Sequence, residues 1–191
     1  MWGSVAYAAE SHIRAARNLR ESSSPATMIP RTLGVVSDTH GIVLPDVLEA
    51  FRRERVDLIL HAGDIGSEQV VHDLERIATV VAVAGNGDEP LYHRYPWDLR
   101  LYIGQRRILL CHWYDNFGRI HMGYARTLED WAPDVLVFGH THVAGVERRG
   151  ETLFVNPGYG GPPELSRDRS VALLDLDALT ARIVPLAPQG G

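Results

Sequence analysis

At 191 residues, 45% of them hydrophobic, the chain is long enough for one domain with a substantial core and too short to make two the natural reading. All 19 basic residues are arginine, which excludes any mechanism needing a lysine, whether a phosphate-loop ammonium or a Schiff base. The single cysteine, Cys111, excludes a disulfide framework and fits a reducing, cytoplasmic setting. A net charge of −5 argues against a general nucleic-acid-binding surface, and no apolar run approaches the roughly 20 residues needed to span a membrane.

In chain order, residues 1–30 read as an N-terminal extension that runs through Ser22-Ser23-Ser24-Pro25, a linker signature. Residues 5–19 have weak helical amphipathicity, and Arg14, Arg17 and Arg20 faintly resemble a transit peptide, against which Glu10 and Glu21 count. The extension is expected to be disordered or peripheral, or to reflect a start placed upstream of Met28. The domain proper, residues 31–191, opens with a short apolar strand over 33–37 that ends in a polar tip, followed by a helix over 45–55 with Val47, Leu48 and Phe51 on one face. The pattern repeats as a strand at 58–61 with a helix over 67–76, and a strand at 80–84 leads into Gly85-Asn86-Gly87-Asp88. Continuous apolar strands alternating with helices imply a parallel sheet covered on both faces, with ligands gathered beyond the carboxyl ends of the strands.

Residues 99–103 and 107–110, separated by Gly104-Gln105, read as a hairpin that delivers Cys111-His112. A helix is expected over 120–131, stopped by Pro133, then a buried strand at 135–138 that carries Gly139-His140-Thr141-His142 at its tip. Strands at 152–155, 171–176 and 181–186 complete an α/β fold, a four-layer α/β/β/α sandwich of two mixed β-sheets flanked by helices.

Taken singly, the motifs have ordinary explanations. Asp38-x-His40 places two donors on one side of an extended tip, where they can grip an ion together, yet it also suits a turn whose aspartate caps the next helix. Gly85-Asn86-Gly87-Asp88 alone is most often a hairpin turn, and His112 alone a strand-end histidine. His140 and His142 repeat the two-residue spacing, and paired imidazoles favour a borderline transition ion. Asp64, after Gly63, is a common loop aspartate whose two oxygens can also hold two cations. What lifts these readings is their joint placement at strand ends, where they offer enough oxygen and imidazole donors for two divalent ions. Such a pair can activate water and neutralise charge on a phosphate ester.

Over about residues 33–186 the ordered series of motifs resembles the calcineurin-like metallophosphoesterase superfamily, within it the small bacterial and archaeal phosphodiesterases of the YfcE type. The resemblance implies that Asp38, His40, Asp64 and His142 hold one metal and that Asp64, Asn86, His112 and His140 hold the other, with Asp64 shared. It implies Mn²⁺ most often, with Fe, Ni or Zn as alternatives, and P–O cleavage by a hydroxide lying between the ions, so that Asp64, Asn86 and His112 act through the metals and no side chain is the nucleophile. Asp88 and Asn156 are expected to support the ligands without touching the ions. His61 reads as a strand-end support, and His12, His72, His93 and His121 as surface residues.

The chain departs from the family where many phosphomonoesterases carry a histidine in Gly-Asn-His-Asp: that position is Gly87. Without a general acid there, esters with poor leaving groups are disfavoured, which tilts the expectation to phosphodiesters. Trp113 and Tyr159 also replace smaller residues usual in relatives and add bulk near the mouth; Trp113 and Tyr114 can stack on a base or pack the rim. The expected partner is a small phosphate-ester substrate, with a homo-oligomer possible and no membrane association. The alternatives are a phosphomonoesterase or dinucleoside-polyphosphate hydrolase using the same metals, or a non-catalytic scaffold like the retromer subunit of this fold.

Overall fold

The computed structural model describes residues 29–113, 128–164 and 168–187. The strands fall into two mixed five-stranded sheets. The first runs β10–β9–β1–β2–β3, built from β1 (Thr32–Val36), β2 (Leu58–His61), β3 (Thr79–Ala82), β9 (Ser170–Asp175) and β10 (Thr180–Pro185). The second runs β4–β5–β6–β8–β7, built from β4 (Asp98–Ile103), β5 (Arg106–Cys111), β6 (Val135–Val137), β7 (Gly145–Arg149) and β8 (Thr152–Asn156). In each sheet three adjacent strands are parallel: β1, β2 and β3 in the first, where β3 forms one edge and the antiparallel β9 and β10 lie beyond β1, and β5, β6 and β8 in the second, flanked by the antiparallel β4 and β7.

The inner faces pack on each other. Leu33, Val35, Leu58 and Leu60 from the first sheet share one buried cluster with Leu101, Ile108, Leu110, Val137 and Val155 from the second. The outer face of the first sheet is covered by α1 (Pro45–Glu54) and α2 (Glu68–Glu75), which bury Val47, Ala50, Phe51, Val70, Val71 and Leu74 against Val36, Ile59 and Val80. Pro45 starts α1 with its φ already set, and Arg55 ends it in the left-handed region at φ 51°. Ser67 caps α2, its hydroxyl oxygen accepting from the Gln69 amide at 3.2 Å. On the outer face of the second sheet, Leu109, Cys111, Leu136 and Phe154 form a smaller cluster with Leu128, Trp131 and Phe138. The expected four-layer sandwich is the fold observed.

Most expected elements are present within a residue or two. The strand expected to reach Ala84 leaves its ladder at Ala82, after which the Ala84 amide turns to the Pro96 carbonyl at 2.8 Å. Strand β7 was not expected: Gly-Val-Glu-Arg-Arg is exposed throughout and edges its sheet, so no buried face imprints an alternation on it. Of the helix expected over 120–131, residues 128–131 are helical and the remainder, with His121 and Tyr114, lies outside the described residues, as do His12 and nearly all of the extension at 1–30. Among the described residues no helix is long and apolar enough to cross a membrane.

Candidate metal centre

Every parallel strand ends on the same side of the sandwich, where the loops after β1, β2, β3 and β6 and His112 directly after β5 bring polar side chains to one rim. The loops after β1 and β2 are zipped together by backbone hydrogen bonds from Asp38 to Gly63 (2.9 Å), His40 to Asp64 (3.0 Å) and Gly41 to Ile65 (2.7 Å). Within the second sheet the Gly139 amide donates to the His112 carbonyl (3.1 Å), and that sheet is tied across to the β1 and β2 loops by the His140 amide on Asp38 Oδ2 (3.2 Å) and the Gly160 amide on the Ser37 carbonyl (3.0 Å). Seven residues singled out from sequence therefore meet at one place. Asp38, His40 and His142 form one group of ligand atoms within 4.8 Å of one another, and Asp38, Asp64 and His112 form a second. Asn86 Oδ1 lies 2.9 Å from His140 Nδ1 and 3.2 Å from His112 Nε2, which joins the remaining two to the second group.

Asp38, buried and 3.0 Å from His142 Nε2, contributes to both groups, and Asp64 stands in the second. Asp64 Oδ1 is itself held by the Gly87 amide at 2.7 Å and lies 3.4 Å from His112 Nε2.

The protonation pattern of His112 tests whether this set suits a cation. Its Nδ1 lies 2.7 Å from the Ala62 carbonyl, which can only accept, so Nδ1 carries a proton and Nε2 is the nitrogen turned toward the cluster. Nε2 faces three acceptors: Asn86 Oδ1 at 3.2 Å, Asp64 Oδ1 at 3.4 Å and Asp38 Oδ1 at 3.9 Å. Acceptors converging on one point are stable only with positive charge among them, and an oxygen and imidazole set suits a divalent transition ion. Burial by itself would raise the Asp38 carboxyl, but the His142 hydrogen bond, the His112 charge and the Ser37 hydroxyl outweigh it and hold the carboxyl below its usual range. Burial, with the like charge of His112, lowers His140 and favours the neutral ring that can bind a metal.

Support comes from behind. Asp88 points away from the cluster and accepts three amides, from Ile65 (3.0 Å), Gly85 (2.8 Å) and Gly66 (2.7 Å), so it pins the Asp64 loop to the Asn86 loop. Asn156 donates to the Gly139 carbonyl (3.1 Å) and Thr141 Oγ1 (3.0 Å) and fixes the turn carrying His140 and His142. His61, fully buried and pushed down to about 3 mainly by that burial, accepts from the Gly63 amide through Nδ1 (3.2 Å) and meets Thr39 Oγ1 through Nε2 (3.0 Å); it braces the loops and stays neutral. His72 and His93 are exposed, away from the cluster. Gly85 is dictated by contact, since a Cβ there would collide with the amide nitrogen and Oδ1 of Asp64.

The cluster floors a cleft of about 310 Å³ lined by His40, Asp64, Asn86, His140, His142 and Glu164. Trp113 stands partly exposed beside it, its ring 4.8 Å from that of His140. Tyr159 is not at the mouth: it is buried, with its ring 5.0 Å from His142 and 5.8 Å from His40, and its hydroxyl donates to Glu164 Oε1 at 3.0 Å. Glu164 escaped the sequence reading, although it follows Gly160-Gly161-Pro162-Pro163 beyond the tip of β8 and strand-end logic covers it too.

Two strapped sheets with an oxygen and imidazole cluster at their joined strand ends define a metallophosphoesterase architecture. The calcineurin-like phosphoesterase superfamily domain matches residues 32–179, and the chain belongs to that superfamily. It is 30% identical to a probable metallophosphoesterase of Methanocaldococcus jannaschii, over 97% of this chain and 96% of the relative. It is 28% identical to phosphodiesterase YfcE of Escherichia coli K12, over 75% of this chain and 87% of the relative. Among solved structures, Vps29 of Entamoeba histolytica in complex with Zn²⁺ superposes with a TM-score of 0.68 at 23% identity, covering 83% of this chain and 94% of that one.

Proposed function

We propose that this protein is a dinuclear metal-dependent phosphodiesterase, with Mn²⁺ as the favoured ion and Fe, Ni or Zn as alternatives, acting on a small phosphate ester in the cytoplasm. The observation that carries the reading is the convergence of His112 Nε2 with three acceptor oxygens, from Asn86 at 3.2 Å, Asp64 at 3.4 Å and Asp38 at 3.9 Å, at the floor of an open cleft. The relatives named metallophosphoesterase and phosphodiesterase support the same chemistry.

Asp38, His40, Asp64 and His142 would hold one ion, and Asp64, Asn86, His112 and His140 the other, with Asp64 shared. Two such ions supply Lewis acidity that activates water and draws charge from the phosphoryl oxygens. The chain's own groups do the positioning. The Ala62 carbonyl keeps the His112 proton on Nδ1 and aims Nε2 at the cluster. Two ionised carboxylates offset part of the cationic charge, and the neutral oxygen of Asn86 adds a ligand without adding charge. At Gly87 the cleft wall carries no side chain able to protonate a departing alkoxide, so esters whose leaving alcohol is acidic are favoured.

The test is protein stripped of metal, reloaded with Mn²⁺, Zn²⁺ or Mg²⁺, and assayed on an aryl phosphodiester, an alkyl phosphomonoester, a dinucleoside polyphosphate and a cyclic nucleotide, beside Asp64→Ala. The reading expects metal-restored turnover that is fastest on the aryl diester and lost in the variant. Equal or faster turnover of the monoester or of the dinucleoside polyphosphate would replace the diester assignment. No hydrolysis with any metal, and a variant indistinguishable from wild type, would leave the scaffold role instead.

A further inference from the structure

The Asn86–Gly87 peptide is gripped at both ends. Its carbonyl, that of Asn86, accepts from the Tyr92 hydroxyl at 3.1 Å, and its N–H, that of Gly87, donates to Asp64 Oδ1 at 2.7 Å. One peptide unit thus joins the backbone of one candidate ligand, Asn86, to the carboxylate of another, Asp64. We infer that Tyr92 is a positioning residue for the metal site of Asp64, Asn86, His112 and His140, fixing the plane of this peptide through its hydroxyl. The inference deepens the dinuclear reading above and rests on it.

The local sequence makes an outside hold necessary. Asn86 lies between two glycines, the residues with the widest choice of backbone angles, so nothing in the loop itself fixes the direction in which its side chain leaves. Ahead of Asn86, the Asp88 carboxylate takes the Gly85 amide (2.8 Å) and the Gly85 carbonyl takes the Asp88 amide (3.1 Å). The peptide after Asn86 is fastened by Tyr92 and Asp64. The segment bearing Tyr92 is itself firmly seated. Residues 84–96 form a loop closed at its neck, where the Ala84 amide donates to the Pro96 carbonyl at 2.8 Å, and a short 3₁₀ turn at Glu89–Leu91 leads into Tyr92. Leu91 and Tyr95 are buried in the cluster on the outer face of the first sheet, and Tyr92 packs against the same cluster. The Trp97 ring stands 4.4 Å from that of Tyr92. A phenol held by its ring on two sides presents its hydroxyl at a fixed point.

The two candidate ligands joined by this peptide meet at one nitrogen. Asp64 Oδ1 lies 3.4 Å from His112 Nε2, and Asn86 Oδ1 lies 3.2 Å from it. A donor on the carbonyl polarises the amide and strengthens the hydrogen bond that its N–H makes. Without the hydroxyl the peptide gains freedom to rotate, which would displace Asn86 Oδ1 and loosen the hold on Asp64 Oδ1 together. Asn86 and Gly87 are exposed, so water can satisfy the carbonyl in place of the phenol and the fold loses little. Water supplies a partner but no direction. The effect therefore falls on metal affinity, where loss of a group that orients a ligand typically costs about 10–100-fold.

The experiment titrates metal-stripped wild type, Tyr92→Phe, Trp97→Leu and Asn86→Ala with Mn²⁺ by calorimetry, and unfolds each with urea in chelator. Tyr92→Phe keeps the ring and removes only the donor. Wild type should bind two ions; Tyr92→Phe should weaken one step by about tenfold, the same step that Asn86→Ala loses, with the other step and the urea midpoint close to wild type. Trp97→Leu, which leaves the hydroxyl and removes the ring beside it, should weaken the same step by less. Unchanged affinities in Tyr92→Phe, or both steps weakened equally alongside a lost midpoint, would overturn the inference and leave Tyr92 a packing residue. Failure of Tyr92→Phe to fold would overturn it as well, since the hydroxyl would then be holding the fold. Wild type that binds fewer than two ions would remove the dinuclear reading and this inference together; two ions bound with unmoved affinities in Tyr92→Phe removes only the inference.

Discussion

Replacing Asp88 separates the role of holding the site from that of holding the metal. In the structure its carboxylate is fully buried and accepts amides from Ile65 (3.0 Å), Gly85 (2.8 Å) and Gly66 (2.7 Å). Gly66 is exposed, so water can take over its amide when the side chain is removed, but Ile65 and Gly85 are buried and would be left without a partner. At about 1–3 kcal/mol for each orphaned buried donor, Asp88→Ala should lower stability by roughly 2–6 kcal/mol, a large share of the about 5–15 kcal/mol typical of a domain. Asp88→Asn can keep its oxygen on the two buried amides and turn its NH₂ to the exposed one, for a loss of roughly 1–2 kcal/mol. The assay is urea denaturation in chelator, followed by Mn²⁺ titration of the folded variants. The reasoning expects stability to drop in the order Ala, then Asn, with Asp88→Asn binding metal far better than Asp64→Asn. If Asp88→Asn lost metal as completely as Asp64→Asn without any change in stability, Asp88 would be a ligand and the bracing argument would fail.

Two further perturbations probe the site from other sides. A Cβ at Gly87 would sit 3.2 Å from Asp64 Oδ1, close enough to need a shift of a few tenths of an ångström but not a rebuilt loop. Gly87→His should therefore raise kcat for an alkyl monoester by about tenfold or more, within the roughly 10²–10⁴ range of general-acid help, with a smaller gain on an aryl diester; equal gains on both would refute the missing-acid argument. His61, held at about 3 against an ordinary 6.5, takes up a proton more readily when the chain unfolds. Its contribution is thus present above pH 6.5 and is lost on acidification from there toward 3, at up to about 1.4 kcal/mol per pH unit. Denaturation of metal-free protein between pH 7 and 4 should show a shallower decline in His61→Gln than in wild type, and parallel curves would contradict the neutral, buried His61.

The strands that anchor the core were legible because burial on both faces writes a continuous apolar run into the sequence, as in Leu58 to His61 and Val135 to Val137. Strand β7 was not, because an exposed edge has no inner face to select side chains. The ligands were legible as types and spacings, and even Asn156 and Asp88 could be proposed as supports from their motifs. The contacts that draw the groups together were not: Asp38 accepts from the His140 amide, 102 residues away, and local sequence carries no trace of a contact made across two sheets. Glu164 was missed for a related reason: its place at the cleft depends on the Tyr159 hydroxyl and on where Arg169 anchors the loop, both settled by packing.

The backbone adds an argument that side-chain chemistry alone does not. Eight non-glycine residues among those described have positive φ, and five of them, Asp38, His40, Asp64, His140 and His142, are candidate ligands. Asp tolerates this region better than most residues and His moderately, yet at about 1 kcal/mol apiece the five together represent on the order of 5 kcal/mol, comparable to the net stability of many domains. Strain of that size persists only where surrounding contacts over-determine the turn. Here those contacts are the zipper from the 38–41 loop to the 63–65 loop, the three amides on Asp88, and the Asn156 side chain across residues 139–141. A sharp left-handed turn directs a side chain back toward the strand axis, so three loops from one sheet and two from the other can aim at a single point. The same turns that cost folding energy are the means by which short strand ends become a convergent ligand set, and the bracing residues belong to the site as fully as the ligands.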